Sequence, residues 1–179
     1  MKKLFLFLLL CSLGFSQQIV QTETHEDGYI EVINYYKKKR SSSGTYKLIK
    51  VKSERYHDSG NLYELMYFNE DGEENGLYKS YFENGQLEEE KTYKNGKEEG
   101  PYKSYFENGQ LEWEYYYTLG DIDDTKLVKR WYENGQLYQV GFVDESGYYW
   151  KTRKTYSEEG KLLKEETFKD GDVIESKEY

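Results

Sequence analysis

One thirteen-residue stretch occurs almost unchanged twice, and that repetition constrains the fold more than anything else in the chain. Gly76-Leu77-Tyr78-Lys79-Ser80-Tyr81-Phe82-Glu83-Asn84-Gly85-Gln86-Leu87-Glu88 returns 24 residues later as Gly100-Pro101-Tyr102-Lys103-Ser104-Tyr105-Phe106-Glu107-Asn108-Gly109-Gln110-Leu111-Glu112. Shorter copies follow at Trp131–Leu137 and Tyr156–Leu162, and one precedes at Tyr56–Leu62. The anchoring glycines are therefore 60, 85, 109, 135 and 160. A second set of turn sequences lies between them, at Asn69–Gly72, Lys94–Lys97, Gly120-Asp121, Glu145–Gly147 and Lys169–Gly171. Each repeat thus holds two turns and two short segments rich in Tyr, Phe, Thr and Val, which read as strands. Connections this short forbid a parallel crossover, so neighbouring strands must be antiparallel. The expected fold is all-β: an elongated single-layer antiparallel β-meander of tandem hairpin repeats.

The columns of the repeat assign the faces. An aromatic stands four residues before each anchor glycine (Tyr56, Tyr81, Tyr105, Trp131, Tyr156), and Leu stands two after it (Leu62, Leu87, Leu111, Leu137, Leu162). Eight after it come Phe68, Tyr93, Tyr117, Val143 and Phe168. Asn-Gly accepts positive φ at both positions, as a two-residue type I′ loop requires. Such a loop pairs Phe82 with Leu87, Phe106 with Leu111 and Tyr132 with Leu137, and puts Tyr93 and Tyr117 on their face. The other face then carries Tyr81, Tyr105, Trp131 and Tyr156 with Lys79, Lys103, Lys129 and Lys154, Lys79 lying opposite Glu90 and Lys103 opposite Glu114. A three-residue loop changes the pairing near the turn.

Tyr-Phe-Glu-Asn-Gly-Gln-Leu at 81–87 and 105–111, alternating with Tyr-Lys-Asn-Gly-Lys at 93–97, resembles the MORN repeat in its bacterial variant, over roughly residues 54–175. The resemblance implies an elongated antiparallel sheet of twisted hairpins in series. It also implies a grouping with the YwqK-type, antitoxin-like proteins. The domain boundaries read as a leader at 1–16, an N-terminal capping hairpin at 17–53 and the MORN-like repeats at 54–179. The cap is built from Tyr29–Tyr36 and Tyr46–Tyr56, and the basic run Lys37–Arg40 with Ser41–Gly44 falls at its tip.

The leader has its own signature. Lys2 and Lys3 precede an unbroken apolar run, Leu4–Leu10, and Gly14-Phe15-Ser16 supplies small residues for cleavage after Ser16. The run is too short to span a bilayer. Leu10 stands before Cys11, where lipid attachment wants a small residue. The chain is therefore expected to be exported, to the periplasm, the cell surface or the medium. Removing the leader takes away two lysines and the one Cys. The 23 basic and 34 acidic residues that remain leave −11, a charge that disfavours nucleic acid and anionic lipid. Without a Cys, the mature chain has no disulfide, thiol nucleophile or thiolate metal site.

No catalytic constellation emerges. His25 and His57 are the only histidines, and His57 occupies the column held elsewhere by Phe82, Phe106 and Tyr132. No P-loop or dinucleotide fingerprint is present. The carboxylates fall in repeat columns and turns. Asp121-Ile122-Asp123-Asp124-Thr125 interrupts the third repeat with alternating carboxylates, but lacks the later Gly and Glu of a calcium loop and reads as a solvated acidic hairpin. The sequence therefore points to a non-enzymatic module with no cofactor or metal. Its faces are expected to be broad and wet, with no enclosed pocket. Aromatics make up 18% of the chain, and exposed Tyr and Trp in rows suit a binding surface. The candidate binding residues are Tyr81, Tyr105, Trp113, Tyr115, Tyr117, Trp131, Tyr132 and Tyr156, with Tyr116 in the densest patch. A protein partner is the first expectation. A toxic partner is the narrower one and a glycan the alternative. The terminal edge strands also make edge-to-edge homo-oligomers feasible.

Overall fold

The computed structural model describes residues 3–7, 18–24, 30–144 and 146–179. Every regular element among them is a strand, paired antiparallel with its neighbours. The chain divides into two compact units, Met1–Gly85 with Tyr93–Gly96, and Gln86–Thr92 with Lys97–Tyr179.

In the first unit, β1 (Lys3–Phe7), β2 (Gln18–Thr24), β3 (Ile30–Arg40), β4 (Tyr46–Tyr56), β5 (Leu62–Tyr67) and β6 (Gly76–Tyr81) follow one another across the sheet. The hairpin expected as an N-terminal cap is β3–β4, and β2 pairs along its outer side, so this hairpin is not itself the edge of the sheet. β1 pairs with β2; residues 8–17, where cleavage after Ser16 is expected, lie outside the described residues. The basic run does fall at the β3–β4 tip, where Lys37 and Lys39 both grip Glu70. Those two ammonium groups pull the Glu70 carboxyl down to about 2. Deeper in the sheet, Glu54 accepts from Tyr35 Oη (2.6 Å) and Tyr56 Oη (3.0 Å) and pairs with Lys52 (2.6 Å).

The second unit runs from β7 (Leu87–Lys94) through β8 (Lys97–Glu98), β9 (Gly100–Tyr105), β10 (Leu111–Thr118), β11 (Asp121–Ile122), β12 (Val128–Trp131), β13 (Leu137–Val143), β14 (Tyr149–Tyr156) and β15 (Leu162–Lys169) to β16 (Asp172–Glu178). Its buried apolar residues are few: Val128 and Val143. Ladders of cross-strand pairs take the place of a thick core, each pair contributing roughly 0.2–1 kcal/mol. One ladder is charged and alternates in sign for four strands, Glu90–Lys103–Glu114–Lys129. It continues through Val140 to Lys154, Glu165 and Lys177. Within it Lys129 Nζ lies 2.9 Å from Glu114 and Lys154 Nζ 3.0 Å from Glu165. Lys103 thus faces Glu114 as the sequence indicates.

The anchor turns are not two-residue loops. Phe106 N–H donates to the Gln110 carbonyl and Gly109 N–H to the Phe106 carbonyl, each at 2.8 Å. The same pair of bonds closes the turns at Gly60, Gly135 and Gly160. This is a three-residue loop: a type I turn whose glycine, at φ 83° in Gly109, takes the left-handed position. The register slips by one residue immediately afterwards, so Tyr105 faces Leu111, Trp131 faces Leu137 and Tyr156 faces Leu162. The expected pairs Phe106–Leu111 and Tyr132–Leu137 are therefore corrected. Each Leu packs beside the anchor aromatic, because the bulge absorbs the extra loop residue. True type I′ turns occur in the second set, where both central residues have positive φ: Asn95-Gly96, Leu119-Gly120 and Asp170-Gly171.

The freed column, three before the glycine, acquires another role. His57 Nε2 donates to the Tyr81 carbonyl at 3.0 Å, and Tyr132 Oη donates to the Tyr156 carbonyl at 2.9 Å. Both bonds reach one repeat further along the chain. His57 is thus a tie between hairpins at a packing position.

Candidate functional site

One face of the second unit carries the side chains of Tyr102, Trp113, Tyr115, Val128 and Tyr149, with Gly141 opposite Val128. Strand pairing sets Trp113 against Ser104 and Arg130, Tyr115 against Tyr102, and Val128 against Gly141. Successive rungs across that face do not have equal bulk. In the column seven before the anchor glycine stand Ser53, Tyr78, Tyr102, Val128 and Arg153. Six after it stand Met66, Lys91, Tyr115, Gly141 and Glu166, and eight after it Phe68, Tyr93, Tyr117, Val143 and Phe168. The third repeat alone has Val, Gly and Val in these three columns.

The missing volume becomes an open recess of about 320 Å³, lined by Tyr102, Trp113, Tyr115, Ile122, Val128, Val143, Gly147 and Tyr149. That is at the lower end of the ~300–1,000 Å³ of small-ligand pockets. The face is therefore not uniformly broad and wet, as expected from its sequence; it holds one apolar depression, open to solvent. Tyr102 stacks on Tyr115 with ring centroids 4.4 Å apart, and Tyr117 meets Tyr115 edge-on at 5.4 Å. Gly141 leaves room for Tyr149: a Cβ there would lie 2.9 Å from the Tyr149 ring and 2.4 Å from the Thr152 carbonyl oxygen. Gly147 forms the rim, in the loop that Asp144 closes by accepting from the Ser146 and Tyr148 amides.

The electrostatics of the recess are those of neutral phenols. Burial pushes the Tyr115 phenol far up, and its hydrogen bond to Tyr117 pushes the same way. Burial raises Tyr117 and Tyr102 too. It also raises Tyr149, against the pull of Arg153 and Arg130. At neutral pH these groups offer ring faces and hydroxyls, and no anion for nucleophilic or base chemistry. The Tyr115 and Tyr117 hydroxyls meet each other at 3.5 Å, and Tyr149 Oη donates to Gln139 at 3.3 Å.

Two guanidinium groups flank the aromatic wall, and they differ. Arg153 is tied down, donating through Nε (2.9 Å) and Nη2 (2.6 Å) to the buried Glu166, which Lys164 also holds. Arg130 lies over the Trp113 ring at 4.8 Å and the Tyr138 ring at 5.4 Å. Its nearest carboxylate, Glu112, is 4.0 Å away, and its side chain is 40% exposed.

Of the residues indicated by sequence, Trp113 and Tyr115 line the recess and Tyr117 backs it. Tyr132 stands on the same face, packed on Tyr138 at 4.8 Å. Tyr105, Trp131, Tyr156 and Tyr116 fall on the opposite face with the charged ladder, where Tyr105 Oη donates to Glu90. Tyr81 belongs to the first unit. Pattern reading missed Tyr102, Ile122, Val128, Gly141, Val143, Gly147 and Tyr149. The loss of bulk at Val128, Gly141 and Val143 is the signal that could have found them. The acidic interruption is a cap: Asp123 accepts from the Thr125 amide (3.0 Å), Thr125 Oγ1 (2.6 Å) and Thr118 Oγ1 (3.2 Å).

Hairpins in tandem, each closed by the same glycine turn and tied to the next, define a β-repeat array. Residues 74–95, 98–119, 125–144 and 151–170 each match the family model of the MORN repeat variant. The chain is a MORN repeat protein. No curated protein sequence matches it. Among solved structures, the crystal structure of a protein of unknown function from Bacteroides fragilis matches at 11% identity, over 92% of this chain and 93% of that one, with a TM-score of 0.21.

Proposed function

We propose that this protein is a non-enzymatic, exported binding module that engages a protein partner through the aromatic recess of its second unit. The observation that carries the reading is the loss of bulk in three columns of one repeat, where the repeats on either side fill those columns with Tyr102, Tyr115 and Tyr117 and with Arg153, Glu166 and Phe168. A packing defect would leave an empty void, which is unfavourable. An open recess walled by Trp113 and three tyrosines is the form of a binding hot spot, where Tyr and Trp supply contact area at low entropy cost. The apolar run Leu4–Leu10 supports export. In the narrower reading, grouped with the YwqK-type proteins, the partner is a toxic protein that this chain neutralises. A glycan is the weaker alternative, since the lining is mostly ring faces and aliphatic side chains and offers few polar groups.

Photo-crosslinking tests it. A benzoylphenylalanine is placed at Ser146, on the exposed rim, and the chain is irradiated in its native cells and recovered from the envelope fraction. A discrete protein adduct that disappears when Val143→Phe restores the bulk of the neighbouring repeats is the expected result. Adducts identical with and without Val143→Phe, or no adduct, would count against a protein partner at this site.

A further inference from the structure

Resting on the reading of the recess as a protein-binding site, we infer that it accepts a large aromatic side chain of the partner whose neighbouring residue carries a carboxylate, which Arg130 receives.

Three features of the recess fix this chemistry. First, its walls are ring faces and branched aliphatics. A flat side chain slid between Tyr102, Trp113 and Tyr149 finds offset-stacking and edge-on contacts on several sides, and buries ~150–250 Å² of its own surface. Second, the lining offers few polar groups, the hydroxyls of Tyr102, Tyr115 and Tyr149 beside Ile122, Val128 and Val143, so a guest with many hydroxyls would leave most of its own unsatisfied, at a cost in affinity. An indole or phenyl group needs no such partners. Third, the cation beside the aromatic wall has spare capacity. The Arg130 guanidinium carbon lies 4.8 Å from the Trp113 ring and 5.4 Å from the Tyr138 ring, and its side chain is 40% exposed, so a planar fork stands beside the wall within reach of solvent. Glu112 at 4.0 Å stands at the outer limit of an ion pair. Arg153 by contrast has two N–H groups on the buried Glu166, so it is already neutralised. Both guanidinium groups lie over a wall of the recess, Arg153 over Tyr149 and Arg130 over Trp113, each at 4.8 Å, and of the two Arg130 is the loosely paired one. A carboxylate arriving one residue from the inserted ring meets it with a charge-assisted, bidentate geometry.

The arrangement also separates affinity from selection. The recess sets whether an aromatic group binds. Arg130 sets which charge is tolerated beside it. A partner presenting Lys or Arg next to the ring meets a like charge already fixed in place, which works against it.

The probes are three blocked peptides, acetyl-Asp-Trp-Gly-amide, acetyl-Lys-Trp-Gly-amide and acetyl-Asp-Ala-Gly-amide, titrated into the purified protein at millimolar concentration. The readout is the Trp113 indole N–H signal and the Tyr115 ring signals in heteronuclear NMR. The Asp-Trp peptide is expected to give saturable shifts with an affinity about fivefold to tenfold above the Lys-Trp peptide, and the Asp-Ala peptide none. Arg130→Gln should bring the two Trp peptides together. Val143→Phe, and independently Val128→Tyr, should abolish binding of both. Each of these inserts a residue that neighbouring repeats already carry in the same column, so folding is retained, and a thermal melt checks it. No shift at Trp113 or Tyr115 with either Trp peptide, equal affinities for both in the unaltered protein, or binding that survives both filling variants would each overturn the inference. Peptide binding as described, without any adduct in the crosslinking experiment, would leave the recess chemistry standing and remove the protein partner. Adducts with no charge preference would do the reverse.

Discussion

At the scale of single residues, the turns show where local chemistry and sequence agree and where they do not. Asn95-Gly96 and Asp170-Gly171 place residues that tolerate positive φ in both central positions of a type I′ turn. Leu119 occupies the equivalent position before Gly120 at φ 57°, with 67% of its surface exposed. A branched side chain in the left-handed region costs about 1–2 kcal/mol, and so exposed a side chain recovers little of it by packing. Leu119→Asn should therefore stabilise the protein by about 1 kcal/mol, raising Tm by roughly 2–4 °C for a chain of this size. Scanning calorimetry checks it, and an unchanged or lower Tm would mean that the Leu119 side chain makes a stabilising contact after all. The anchor glycines were legible in the sequence as turns, yet their loop length was not. Asn-Gly suits both a two-residue loop and the left-handed end of a three-residue loop, and nothing local distinguishes them.

Among the elements, the strand register beyond the bulge follows from column alternation, which is why Lys103 faces Glu114 as the repeat indicates. Near the turns the bulge overrides that reading and moves each Leu beside its anchor aromatic. Most of the fold was therefore legible, because near-identical repeats constrain one another. The recess was not, because it arises from absent bulk, whereas pattern reading followed the aromatic columns that are present. Trp113 and Tyr115 stood out as aromatics; Gly141 and Val128 belong to no column that the sequence reading followed. Two glycines on strand and turn make this concrete. Gly109→Ala places a Cβ in a left-handed turn and near the Gln86 amide tip, which can swing away, so the cost is the backbone's, about 1–2 kcal/mol. Gly141→Ala drives a Cβ into the Thr152 carbonyl and the Tyr149 ring, neither a flexible end, so about 2–3 kcal/mol is expected. Urea melts measure both. Only Gly141→Ala should also displace the Tyr149 ring signals and weaken peptide binding; equal effects of the two on those signals would refute the assigned position of Tyr149.

For the molecule as a whole, stability rests on half-buried phenols and ion-pair ladders, with very little apolar core. Tyrosine ionisation should therefore govern alkaline unfolding. Burial and the hydrogen bond to Glu54 push Tyr56 up to about 12, and burial with Glu90 does the same for Tyr105. An unfolded tyrosine titrates near 10. The folded chain therefore holds these protons more tightly, and their contribution is complete below pH 10 and disappears as pH rises through 12. The denaturation midpoint should fall across that window, less steeply in Tyr105→Phe. If phenolate absorbance shows all 21 tyrosines ionising together near pH 10 with the strand circular dichroism intact, this account of the fold is wrong. A different consequence follows from the anchor turns of the second unit. Asn108 donates to the Glu133 carbonyl and Asn134 to the Glu158 carbonyl, while the Gln110 and Gln136 tips lie against the space beside Gly135 and Gly160. Adjacent loops on that margin are laced together, so each must keep its length. The opposite margin is laced at Leu119 and Gly120, whose N–H groups donate to Glu99 (2.9 Å) and to the Glu98 carbonyl (3.0 Å), whereas Asp123 and Lys126, in the additional residues of the third repeat, bond within their own hairpin. Natural variation in loop length should accordingly accumulate beyond Gly120, where the turn is no longer bonded to its neighbour, and an engineer wishing to graft a new loop has that segment available.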